Sequence, residues 1–191
     1  MMVALAQLAV GVLGVLLVTG EYSTGMIRAT FGAVPKPLPV LWAKASLYAG
    51  VTFALMLAAD VVAFLGGDRL LGVHGTTLSA DGAVPAIVGV AGYLALIGVF
   101  SMALGLIVRS TAGGIATLFG LLLVVPPLGL LLPSSWRDHL LPYLPSSAGA
   151  SMVKAHTSTD ALSPTTSLLV LLAWVVAALV GAVLVLTKRD A

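Results

Sequence analysis

VPAIVGVAGYLALIGVFSMALGLIV, residues 84–108, holds no charged side chain, and only Tyr93 and Ser101 carry polar groups. Wound as a helix at about 1.5 Å per residue, the stretch outreaches the hydrocarbon core of a bilayer, which is about 30 Å thick. A helix apolar on every side has no face to offer water, so this segment predicts a transmembrane span. Four further stretches have the same length and character, at about 2–19, 41–66, 112–132 and 166–187, each ended by glycine, proline or a charge. The predicted fold is therefore all-α. It is a polytopic integral membrane protein with about five transmembrane helices in a single domain covering 1–191, and outer loops at 67–83 and 133–165.

Composition agrees with that reading. Of 191 residues, 60% are hydrophobic and 8% charged, against about 25% charged in soluble domains. Sixteen ionisable Lys, Arg, Asp and Glu side chains could not coat a water-facing surface of this length. The nine basic residues are dispersed, which argues against a nucleic-acid-binding stripe. With no cysteine, disulfides, thiolate catalysis and Cys-ligated metal are excluded.

Five crossings put the chain ends on opposite sides, so basic residues in the loops give an orientation. One side collects Arg28, Lys36, Lys44, Arg109, Lys188 and Arg189; the other holds Arg69, Arg137 and Lys154. The richer side is expected to be cytoplasmic, with the C-terminus inside a multi-pass cell-membrane protein and the N-terminus outside. The first span lacks the basic lead and cleavage pattern of a signal peptide.

Within the spans, small residues at four-residue spacing suggest close helix contacts through Gly50, Ala54 and Ala58, through Ala112, Ala116 and Gly120, and through Ala173, Ala177 and Gly181. Pro126 and Pro127 predict a kink or an end in the fourth span. Asp60 is the one clear intramembrane carboxylate, fitted either to structural pairing near the interface or to coupling with a proton or substrate.

Motifs for chemistry are lacking. There is no G-x-x-x-x-G-K-[ST], H-E-x-x-H or G-x-S-x-G, so the chain is expected to hydrolyse no nucleotide by itself and to bind no cofactor or metal. Ser134, Ser135, Asp138 and His139 are neighbours in sequence, which is not triad geometry. His74, His139 and His156 fall in the two outer loops without the paired spacing of metal ligands.

The least apolar stretch is GEYSTGMIRATFGAVPKPLPVLWAKA, residues 20–45. Glu21, Tyr22, Ser23 and Thr24 are N-cap candidates for a short amphipathic helix carrying Met26, Ile27, Phe31 and Val34 on one side and Arg28 elsewhere. Pro35, Pro37 and Pro39 then favour an extended strap before the next span, with Trp42 and Lys44 at the interface.

Glu21-Tyr22-Ser23-Thr24-Gly25-Met26-Ile27-Arg28, followed by Ala33-Val34-Pro35-Lys36 and Ala43-Lys44-Ala45, resembles the E-x-x-x-G-x-x-R segment of ABC-2 type transporter permeases, especially actinobacterial ones. A second stretch, Tyr143-Leu144-Pro145-Ser146-Ser147-Ala148-Gly149, is similar to the Y-L-P-S-x-A-G sequence before the last helix of such permeases. The resemblance implies the six-helix transmembrane half of an ABC exporter, with this chain beginning at what would be the second family helix. It implies that residues 21–40 form the cytoplasmic segment coupled to a separate ABC ATPase subunit, which would carry the ATP and Mg. It also implies a second permease copy or homologue as partner in the bilayer, and an outer segment at about 133–163 that partly re-enters the membrane. The competing expectation is a membrane protein that transports nothing, such as an assembly factor or an inactive permease remnant.

Overall fold

The computed structural model describes residues 2–25, 37–71, 82–153 and 162–189. These residues are almost wholly helical, with no strand among them. The protein is an all-α, multi-pass membrane protein, and among the described residues five helical segments are long and apolar enough to cross a membrane.

Helix α1 spans Met2–Ser23, α2 Pro37–Leu71 and α3 Ala83–Val108. The fourth crossing is a composite: α4, Thr111–Phe119, runs through a π-helical turn at Gly120–Val124 into α5, Val125–Gly129. Two short helices follow, α6 at Ser134–Leu140 and α7 at Pro145–Val153, before the last crossing, α8, at Pro164–Arg189.

The stretch that announces the fold is also its centre. Helix α3 packs against α1, α2, α4, α7 and α8, and 67% of its most apolar window is buried inside the protein, against 6% for α2. Apolarity suits α3 for lipid, but glycine suits it for protein neighbours. A Cβ on Gly98 would lie 2.6 Å from the Tyr48 ring, and one on Gly105 would lie 3.2 Å from the Val15 carbonyl oxygen. On α1, a Cβ at Gly14 would come within 2.6 Å of the Gly98 carbonyl oxygen. Helices α1 and α3 therefore meet backbone to backbone, the arrangement that dispersion forces favour where lipid removes the hydrophobic drive.

The small-residue ladders read from the sequence fall elsewhere. Gly50, Ala54, Ala58, Ala112, Ala116, Ala173 and Ala177 are exposed. The contacts go instead to Gly11, Gly14, Gly98, Gly105 and Gly114, and to the buried Ala178 and Ala182. Gly181 alone keeps its expected role, with its Cβ position 3.2 Å from Ile107. Four-residue spacing identifies a face, and only the partner decides whether that face is used.

Three boundaries also differ. Helix α2 begins at Pro37 and includes Pro39, so these prolines start a helix and do not hold an extended strap. In a first turn the amide hydrogens have no intrahelical acceptor, and proline loses nothing by lacking one. At its far end α2 continues to Leu71, into the segment expected to be loop. The proline pair at 126–127 does not end its helix. The turn before it widens, the Val125 amide reaching back to the Gly120 carbonyl, which makes room for rings that would strike the carbonyls four residues earlier.

Candidate functional site

Polar groups gather at the end of the bundle where α1 finishes and α2 starts. The Lys44 ammonium of α2 pairs with Glu21 Oε2 of α1. The guanidinium of Arg109, at the junction between α3 and α4, lies over the Tyr22 ring at 5.4 Å. Its Nη2 donates to the Val185 carbonyl of α8 at 3.5 Å. Thr111 Oγ1 at the start of α4 donates to Thr19 Oγ1 of α1 at 2.8 Å, and Thr19 donates in turn to the Val15 carbonyl at 3.0 Å. One polar layer thus links all five long crossings.

Backbone geometry shows how that layer is aimed. Arg109 has φ 55, the one non-glycine residue with positive φ among the described residues, and its amide caps α3 on Gly105. A bulky side chain in that region is uncommon. Here the conformation lets two residues, Arg109 and Ser110, join α3 to α4, while Ser110 Oγ accepts from the Gly113 amide to open α4.

Glu21, Tyr22 and Ser23 belong to the last turn of α1. Their backbone is thus helical within α1, where the sequence suggested the start of a new helix. Thr24 and Gly25 form a turn, with Gly25 at φ 70 in the left-handed region that glycine adopts without strain. Met26, Ile27 and Arg28, with the amphipathic helix expected to carry them, lie outside the described residues. The stretch 21–40 is thus divided, its first residues closing α1 and its last, from Pro37, opening α2.

The second motif lies at the opposite end. Tyr143 closes a 3-10 turn at Leu141–Tyr143, Leu144 is extended, and Pro145 begins α7. Much of the segment expected to be outer loop at 133–165 is therefore helical. Ala148 is fully buried, and a Cβ on Gly149 would overlap the Tyr93 ring of α3. The Tyr143 carbonyl accepts from Trp174 Nε1 of α8 at 2.9 Å, and the Trp174 ring meets Phe100 of α3 edge-on at 6.1 Å. Tyr93, itself buried, donates through its hydroxyl to Gln7 Oε1 of α1. The motif helix is pinned through Tyr93 to the middle of the bundle. Ser146 of the motif and Ser167 of α8 bury hydroxyls that have no partner among the described residues.

Asp60 is half-buried on α2, and its Oδ2 is shielded without a hydrogen-bond partner among the described residues. Arg137 and Asp138 pair with each other on the exposed α6, and His139 Nδ1 engages the Ser135 carbonyl at 2.7 Å. That local bond uses the histidine within its own helix, and the Ser–Asp–His neighbourhood makes no triad. Among the described residues no three metal-ligating side chains converge.

The sequence reading missed Gln7, Tyr93, Arg109 and Trp174 as site residues. Gln7 carried a signal, being the one amide within the first span. No family model, curated protein or solved structure matches this chain.

Proposed function

We propose that this chain is a membrane-spanning permease subunit of an ABC-type exporter, powered by a separate ATPase subunit. Two short sequence segments support the reading, E-x-x-x-G-x-x-R at residues 21–28 and Y-L-P-S-x-A-G at 143–149. The observation that carries it is the polar layer that includes the first residues of the first of them, Glu21 and Tyr22. Glu21 pairs with α2, and its neighbour Tyr22 stacks on Arg109, which reaches α8. A push on the segment after α1 would therefore be felt by every crossing, as coupling to an ATPase requires. Transport then follows from differential binding: nucleotide-loaded and empty ATPase would favour different arrangements of the bundle. The partner would hold the ATP and Mg, a second permease copy or homologue would complete the pathway, and the side bearing Lys44, Arg109 and Lys188 would face the cytoplasm.

Arg28→Ala and Glu21→Ala, made in protein shown to insert, test this role. The expected result is retained membrane insertion with weakened ATPase association and lost stimulation of nucleotide hydrolysis. Unchanged association and stimulation would reduce the segment to a connector and remove the support it gives.

A further inference from the structure

A groove of about 290 Å³ opens between α1 and α2, lined by Leu17, Glu21, Lys44, Leu47, Tyr48 and Val51. Its composition is graded along the helices. At one end stand the two charges of the Glu21–Lys44 pair, each about a quarter exposed. Leu47 and Val51 continue from Lys44 along α2, and Leu17 lies one turn back along α1. All three present outward-facing apolar surface. From Lys44 to Val51 the helix rises about 10 Å, roughly the span from head group into the upper acyl chain of one leaflet.

The geometry points to a binding site for one amine-bearing zwitterionic glycerophospholipid, of the phosphatidylethanolamine class. Its phosphate would meet Lys44, its ammonium Glu21, and the upper part of one acyl chain would lie along Leu17, Leu47 and Val51. The protein pair uses Glu21 Oε2, so Oε1 can still accept, and the lysine ammonium has hydrogens beyond the one it donates. A head group with one positive and one negative end closes a four-charge ring without burying net charge. An anionic head group would match Lys44 and be repelled by Glu21. A choline head group has no N–H to donate to the carboxylate. This site does not depend on the transporter reading, since it needs only the described bundle in a bilayer.

Native mass spectrometry of the full chain, delipidated in mild detergent and titrated with dioleoyl phosphatidylethanolamine, phosphatidylcholine or phosphatidylglycerol, tests the assignment. The expected result is a single-lipid adduct about tenfold more abundant with the ethanolamine lipid than with either other, as one charge-assisted hydrogen bond would give. Glu21→Gln should erase the preference. Val51→Trp fills the groove from the lipid-facing side and leaves the ion pair intact, so it should lower the adduct by a similar factor in protein that folds normally. Equal adducts with all three lipids, a preference for phosphatidylglycerol, no adduct, or an adduct unaffected by Val51→Trp would each overturn the proposal.

Discussion

Replacing Gly14 by alanine tests whether α1 and α3 are held by backbone contact. The new Cβ would lie 2.6 Å from the Gly98 carbonyl oxygen and 3.2 Å from the Met102 nitrogen, and would also strike Ser101 Oγ. Ser101 can rotate, at the expense of its 2.8 Å bond to Gly98, but the carbonyl is backbone. Because Cβ atoms essentially never approach within 3.0 Å of such neighbours, the helices must part there by at least 0.4 Å (3.0 minus 2.6). Overpacking of this kind costs about 1–3 kcal/mol. Gly20→Ala, on the same helix with nothing within 4 Å of its Cβ position, gains the same type of helix propensity without the collision and serves as reference. The assay is reversible SDS unfolding in mixed micelles, followed by tryptophan fluorescence. Gly14→Ala should be less stable than Gly20→Ala by about 1–3 kcal/mol. Two variants within about 0.5 kcal/mol of each other would refute the backbone-contact account.

Two further outcomes follow from the opposite end. Tyr93→Phe removes the donor to the buried Gln7 amide and should cost about 1–3 kcal/mol in the same assay. The double variant Gln7→Leu with Tyr93→Phe should recover most of that loss, because both polar partners are then gone, and a double variant no better than the single would contradict it. Gly149→Ala drives a methyl into the Tyr93 ring, so hydrogen-exchange protection across α7 should fall by about tenfold or more while the middle of α3 stays protected. Equal protection in the variant and the parent would mean that α7 is not pinned there.

Hydropathy made the crossings legible because a bilayer imposes one requirement, about 20 apolar residues in a helix, and α3 and α8 fall close to their expected bounds. Partner choice was not legible. Ala173 and Ala178 are alike in sequence, yet one is exposed and the other buried. Only the direction from which α3 approaches separates them. The prolines at 37 and 39 suggest a strap yet open a helix, because proline is disfavoured in a helix interior but suits a first turn, and which applies depends on where the helix starts. The charge count placed Lys44 and Arg109 on one side, while their contacts with particular partners on other helices depend on side-chain reach that no periodicity encodes. Gln7 and Tyr93 lie 86 residues apart, and nothing local to either names the other.

The claim that this chain couples to an ATPase is tested most directly by co-purification of the detergent-solubilised chain with the ATPase subunit encoded nearest to it, comparing the parent with Arg28→Ala. The account predicts a stable complex with the parent, and a weakened one with the variant at equal membrane insertion. A well-inserted parent chain that retains no ATPase subunit would contradict it and leave a membrane protein that transports nothing by this route.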